Sequence, residues 1–147
     1  MYKRQGGSLG QERDGSCLLE KHLITPTKKK LTPNQLSTGL FAWKVVKHTK
    51  SNAIVVAKNN KIISISGGQT SRVDATKIAF EKTKIPKGCI VASDAFFPFK
   101  DSIEKMAQYN IAAIIQPGGS IRDKEVVESC NKNKIAMAFT GFRVFKH

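Results

Sequence analysis

Residues 111–139 read IAAIIQPGGSIRDKEVVESCNKNKIAMAF and contain the clearest signal of the fold class. An apolar run of buried-strand length ends at residue 116, and a stretch of helical character follows at residues 122–132. A second short apolar run, at residues 135–139, again has the length of a strand. Strands that alternate with helices of this length predict an α/β domain.

The same alternation extends toward the N-terminus. Thr32 and Pro33 suit the N-cap and first position of a helix, which we expect to run to about Lys50. Strands are predicted at 52–57 and 61–66, with a turn at Asn59 and Asn60 between them. The remaining predicted elements are a helix at 71–83, a strand at 89–92 and a helix at 100–109.

These elements define the predicted fold class, which is α/β with a mixed sheet flanked by helices. Residues 32–147 show no break in composition and are predicted to form one domain. Residues 6–31 have no sustained period and are expected to be an irregular lead-in segment. The first five residues, MYKRQ, resemble a translated sequencing-adaptor end and are expected to be a scar outside the fold.

Composition limits the classes of function. No apolar run is long enough to cross a bilayer, so no membrane role is expected. Cys17, Cys89 and Cys130 are far apart and form no CxxC pair, which favours reduced thiols over a disulfide framework or a metal site. The net charge of +14 favours anionic partners, either nucleic acid or small phosphorylated or carboxylated ligands, although scattered lysines are also typical of a solvated surface.

The segment SDAFFPFKD, residues 93–101, is the first candidate site. It follows a strand, and open α/β sheets bind ligands at the carboxyl ends of their strands. Aromatic faces there could stack on a planar heterocycle, and carboxylates could accept hydrogen bonds from ring N–H groups. The alternative is that the three phenylalanines are ordinary core residues.

Two further segments, GGQTSRVD (67–74) and QPGGSIRD (116–123), resemble each other. In each, a strand ends in Gly-Gly and an arginine follows in the first turn of a helix. Backbone N–H groups at a helix start are placed to face an anion, although an ordinary turn with an N-cap explains the same pattern.

Several motifs in a fixed order resemble one family: FAWK (41–44), SNA (51–53), GQTSRVD (68–74), SDAFFPF (93–99), QPGGSIRD (116–123) and the ending RVFKH (143–147). They are similar to the formyltransferase portion of the bifunctional purine biosynthesis proteins, in which AICAR transformylase is joined to IMP cyclohydrolase. The resemblance covers residues 6–147 and is closest to bacterial members.

The resemblance implies a fold, an activity and a set of ligands. The fold would be a cytidine-deaminase-like subdomain without a metal. The activity would be formyl transfer from the co-substrate 10-formyltetrahydrofolate to AICAR, within a cytoplasmic homodimer whose active sites lie between subunits. Positions that match AICAR contacts are Asn52, Arg72, Phe96 and Arg143. Positions that match folate contacts are Val73, Asp101, Ser120 and Ile121.

The chain also departs from the family pattern. The catalytic Lys-His pair of the family belongs to a Phe-Lys-His-Val-Asn-Pro type motif, which does not occur in these 147 residues. Lys47 and His48 match a noncatalytic helix instead. Residues typical of the cyclohydrolase are missing as well. The catalytic groups of the formyltransferase are therefore expected in an N-terminal part, and this fragment is expected to be inactive alone. The rival hypothesis is a stand-alone basic nucleic-acid-binding module, although no signature of such a module is present.

Overall fold

The computed structural model describes residues 2–4, 7–9, 11, 15, 18 and 20–147, the first two ranges as backbone only. The strands are β1 (Tyr2–Arg4), β2 (Gly7–Leu9), β3 (Ile54–Lys58), β4 (Lys61–Ser66), β5 (Ile90–Ser93), β6 (Ala113–Gln116) and β7 (Ala136–Phe139). The helices are α1 (Pro33–His48), α2 (Arg72–Glu81), α3 (Lys100–Ala107) and α4 (Asp123–Lys132), with a short 3-10 turn at Glu20–His22.

The main sheet has five strands in the order β4-β3-β5-β6-β7. Strand β3 is antiparallel to both of its neighbours, whereas β5, β6 and β7 are parallel to one another. The predicted α/β class with a mixed sheet is therefore confirmed. A separate antiparallel pair is formed by β1 and β2.

Helices cover both faces of this sheet. Helix α1 packs on one face around the buried Trp43, together with Leu18 and Val144. Helices α2, α3 and α4 cover the other face, where Phe97 and Ile114 lie in a second core cluster. Because both faces are covered, β5 and β6 are buried along their whole length, which explains their continuous apolar sequence.

Local sequence signals fix the element ends. Thr32 accepts a hydrogen bond from the Gln35 backbone N–H, and the Gln35 side chain accepts one from the Thr32 N–H, which completes a capping box at α1. Asn59 and Asn60 both have positive φ, the conformation that a tight hairpin turn between β3 and β4 requires. The predicted helix start and hairpin are thus confirmed.

The topology places the carboxyl ends of four strands at a single edge of the sheet. Strands β4, β5, β6 and β7 run in the same direction, and α2, α3 and α4 each follow one of them. Strand β3 runs the opposite way, so its first residue pairs with the last residues of β4 and β5. This edge, here called the carboxyl edge, therefore collects three helix N-termini and the start of β3.

Two cysteines lie in the described part of the chain as free, buried thiols. Burial raises the pKa of the Cys130 thiol to about 12. Burial also raises the pKa of Cys89, partly offset by the charge of Lys58. Cys17 lies outside the described residues.

The remaining sequence predictions concern membrane spans, metal sites, domain limits and the type of subdomain. Among the described residues, no helix is long and apolar enough to span a membrane, and no cluster of three or more His, Cys, Asp or Glu side chains could hold a metal ion. The domain limits at residues 5 and 31, and the cytidine-deaminase-like label, remain predictions.

Candidate functional site

The eight side chains singled out from the sequence all belong to segments at the carboxyl edge. Asn52 lies two residues before β3, and Arg72 and Val73 open α2. The other five follow the ends of β5, β6 and β7: Phe96, Asp101, Ser120, Ile121 and Arg143. The edge is where open α/β sheets bind ligands.

A buried carboxylate organises one half of this edge. Asp94, which ends the β5 segment, is fully buried and forms an ion pair with Arg72. The carboxylate also accepts hydrogen bonds from Ser51 Oγ at 2.6 Å and from the Ala53 backbone N–H at 3.2 Å. Because several donors converge on it, the buried charge is compensated.

The guanidinium of Arg72 donates its hydrogen bonds to groups within the protein. Its Nη1 donates to the Ala53 carbonyl at 3.1 Å and its Nη2 donates to Asn52 Oδ1 at 3.0 Å. Asn52 in turn donates from Nδ2 to the Gln69 carbonyl at 3.0 Å. Arg72 and Asn52 therefore lie side by side, held in fixed orientation.

Four of the remaining predicted residues line one cavity of about 360 Å³. Here called the edge cavity, it is bounded by Phe96, Pro98, Phe99, Gly119, Ser120, Ile121, Arg122 and Arg143. The Arg143 guanidinium carbon lies 4.6 Å from the centroid of the Phe96 ring. Such a pair presents a flat apolar face and a cation together, which suits a planar anionic ligand.

Buried polar contacts hold the walls of the edge cavity. Gln116, fully buried at the end of β6, accepts a hydrogen bond from the Phe97 backbone N–H at 2.8 Å. The Val144 N–H donates to the Asp94 carbonyl at 3.0 Å, which ties the C-terminal segment to the same edge. Phe96 and Arg143 therefore each lie next to a residue whose backbone is anchored.

Gly118, the first residue of the second Gly-Gly pair, lies where the β6–α4 loop passes close to the end of β7. Gly118 has a φ of +73°, and a Cβ placed there would lie 2.8 Å from the Phe139 ring. Any residue with a Cβ would therefore have a strained backbone at this position and would clash with the Phe139 ring. Gly118 allows the β6–α4 loop to turn tightly toward the cavity.

The predicted anion cradles at two helix starts are occupied by the protein's own groups. The Gly119 N–H donates to Asp123 Oδ2 at 2.7 Å. At α2, Ser71 Oγ accepts from the Asp74 N–H at 3.0 Å and donates to the Asp74 carboxylate at 2.7 Å. The alternative of a turn with an N-cap is correct at α2, where Ser71 is the N-cap, whereas α4 begins after a turn without any side-chain cap.

Val73 and Asp101 do not line the edge cavity. Val73 lies at the mouth of a neighbouring groove of about 370 Å³ between α2 and α3. Asp101 is exposed in the first turn of α3. Asp101 is not the N-cap of α3, because Phe99 holds that position and no side chain caps the helix.

Lys47 and His48 end α1, as expected for a helix whose last turn favours cations. Lys47 Nζ lies 5.9 Å from the Trp43 ring centroid, and the His48 carbonyl accepts from Lys146 Nζ at 3.1 Å.

Sequence reasoning missed three residues that build the site. Asp94 enters the sequence analysis only within SDAFFPFKD, Ser51 only within SNA and Gln116 only within QPGGSIRD. A carboxylate that directly follows a continuously buried strand was the available signal for Asp94, since such a group needs partners. Nothing local in the sequence identified Gln116 as the anchor of the Phe97 backbone.

The fold and the edge cavity define an α/β domain in which the carboxyl ends of the strands meet at a cavity lined by arginine and aromatic side chains. The chain belongs to the AICARFT/IMPCHase bienzyme family, whose model matches residues 1–82.

Relatives match almost the whole chain. It is 54% identical over 149 residues to the bifunctional purine biosynthesis protein PurH of Aquifex aeolicus, an alignment that covers 99% of this chain and 29% of the relative. The protein of the same name from Persephonella marina is 49% identical, with 99% of this chain and 29% of the relative covered. That from Caldicellulosiruptor bescii is 51% identical, with 97% and 28% covered. The chain thus spans less than a third of the length of these relatives.

Proposed function

We propose that this chain is part of an AICAR formyltransferase, which transfers a formyl group from 10-formyltetrahydrofolate to the 5-amino group of AICAR and yields FAICAR on the route to IMP. Membership of the bienzyme family supports the reaction class. The observation that carries the proposal for this chain is the edge cavity, whose lining includes two of the predicted AICAR positions and two of the predicted folate positions.

The AICAR half of the site would consist of Phe96, Arg143, Arg72 and Asn52. The flat imidazole carboxamide would stack on Phe96, whose other partner is the Arg143 guanidinium. Arg143 is exposed, so its donors are available to an anionic or carbonyl group. Arg72 and Asn52, fixed by Asp94 and Gln69, would orient the ligand from the start of α2 and from the α1–β3 loop.

The folate half would consist of Ser120 and Ile121 in the edge cavity, with Asp101 and Val73 beside it. Asp101 makes no hydrogen bond or ion pair with any described residue. Its carboxylate is therefore available to accept from two adjacent donors of a pterin ring. Phe96 and Arg143 of the AICAR half and Ser120 and Ile121 of the folate half line one cavity, and formyl transfer requires the two bound molecules to lie next to each other.

The catalytic groups would come from elsewhere. The AICAR amine is conjugated with a carboxamide and is a weak nucleophile, so its attack needs a general base and stabilisation of the developing oxyanion. The Lys-His motif that would supply them is not among these 147 residues. We therefore expect the chain to bind ligands without turnover, and we place the working enzyme in the cytoplasm as a homodimer.

The rival function, a basic nucleic-acid-binding module, has only the net charge of +14 in its favour. The lysines of the chain are scattered along the sequence. Membership of a family of purine-biosynthetic enzymes does not support nucleic-acid binding.

Isothermal titration of the purified chain with AICAR tests the proposal. We expect Arg143→Gln to weaken AICAR binding by about tenfold or more, because it removes charge-assisted hydrogen bonds. Lys132→Gln is the matched control, since it removes the same charge from an exposed position at the far end of α4. Equal loss in both variants, or no AICAR binding by the parent chain, would contradict the proposal, as would submicromolar RNA binding at physiological salt.

A further inference from the structure

The edge cavity contains a second arginine–phenylalanine pair that the AICAR half of the site does not use. The Arg122 guanidinium carbon lies 4.8 Å from the centroid of the Phe99 ring, and both residues line the cavity. Arg143 and Phe96 form the first pair on the same cavity. One cavity therefore offers two cations, each stacked on an aromatic face.

The guanidinium of Arg122 has no partner among the described residues besides the Phe99 ring. Its backbone N–H is bound by Ser120 Oγ at 3.1 Å, but its side-chain donors make no hydrogen bond or ion pair there. The adjacent carboxylate of Asp123 already accepts from the Gly119 N–H. The five N–H donors of the guanidinium are thus available to a ligand.

Apolar surface surrounds this cation. Ile121 is fully exposed, and Phe99 is 45% exposed, although both are large hydrophobic residues. Exposed apolar groups beside a planar cation match a ligand that has a ring next to a carboxylate.

We propose that Arg122, with Phe99 and Ile121, binds the aminobenzoylglutamate half of the folate co-substrate. The benzoyl ring packs against Phe99 and Ile121, and the guanidinium pairs with a glutamate carboxylate. This assignment rests on the proposed function, because it takes Ser120 and Ile121 as folate positions and leaves Arg143 to AICAR. A carboxylate fits the guanidinium better than a lone phosphate oxygen or a neutral amide does, since two parallel N–H donors match its two oxygens.

The test compares two ligands that differ only in charge. The purified chain is titrated with 5-formyltetrahydrofolate and with its bis-amide, in which both glutamate carboxylates are neutral. We expect the parent chain to bind the acid at least about tenfold more tightly than the bis-amide. Arg122→Gln abolishes that preference and leaves the affinity for the bis-amide unchanged.

Two variants serve as controls. Lys124→Gln removes one charge from the same helix at an exposed position that does not line the cavity, and it leaves the preference intact. Arg122→Lys keeps the charge without the planar fork and retains part of the preference. The AICAR affinity stays the same in all three variants, because Arg143 is unchanged.

The outcomes separate this inference from the proposed function. If Arg122→Gln keeps the full preference for the acid, Arg122 is not the carboxylate anchor, while the proposed function stands. If neither folate form binds but AICAR does, the inference is overturned and the AICAR half of the proposed function survives. If neither folate nor AICAR binds to the parent chain, both are overturned.

Discussion

Asp94 shows how one residue holds together parts of the chain that are distant in sequence. Its carboxylate joins Arg72 of α2, Ser51 of the α1–β3 loop and the backbone of Ala53. Its own carbonyl accepts from Val144 near the C-terminus. A buried charge is tolerated there only because each of these donors points at it.

Loss of this charge should destabilise the fold. In Asp94→Asn the amide NH₂ replaces one accepting oxygen and leaves the Arg72 guanidinium buried without its counter-charge. We expect a decrease of about 3–5 kcal/mol in the free energy of unfolding, measured with urea. Asp74→Asn, at an exposed carboxylate, is the control and should cost well under half of that. A decrease of less than about 1 kcal/mol for Asp94→Asn would show that the pair does not carry the stability assigned to it.

Asp101 is assigned to folate recognition and not to stability. It is exposed and caps no backbone N–H group, so Asp101→Asn should lower the free energy of unfolding by no more than about 0.5 kcal/mol. In a full-length enzyme of the family, the same change should lower kcat/KM for the folate at least about tenfold, or about 1.4 kcal/mol, because Asn offers one acceptor and an opposing NH₂ group.

The AICAR affinity serves as the internal reference for this variant and should not change. Glu104→Gln, an exposed carboxylate on the same helix, should leave all kinetic constants unaltered. Unchanged folate kinetics in Asp101→Asn would remove this residue from the folate site.

At the scale of the elements, the sequence was informative wherever local signals determine structure. The helix start at Thr32 and Pro33, the turn at Asn59 and Asn60, and the apolar runs of β5 and β6 all depend on neighbours in sequence. The start of α3 agrees with the prediction at residue 100, although no side chain caps that helix and the backbone enters it at Phe99.

The capping box of α1 gives a direct test of such a local signal. Thr32→Ala removes the acceptor for the Gln35 N–H, and we expect a loss of about 1 kcal/mol in the free energy of unfolding. Thr32→Ser should keep most of the stability, because the serine hydroxyl caps equally well. Equal urea midpoints for the parent and Thr32→Ala would mean that α1 is held by its packing on the sheet alone.

At the scale of the whole molecule, the direction of the strands places the site. Since β4, β5, β6 and β7 run the same way, motifs that are spread over residues 51–147 meet at one edge. Their order along the chain and their place after strands could be recognised from the sequence. Which of them share a cavity could not, because that depends on long-range pairing: Phe96, Ser120, Ile121 and Arg143 came together, whereas Val73 and Asp101 lie outside it.

We propose that this chain carries ligand-binding walls of a formyltransferase site without its catalytic groups. A formyl-transfer assay of the purified chain with saturating AICAR and 10-formyltetrahydrofolate tests this directly, with a preparation that binds AICAR by titration. We expect binding without detectable turnover. Turnover within about tenfold of a typical enzyme rate, on the order of 10 s⁻¹, would contradict it.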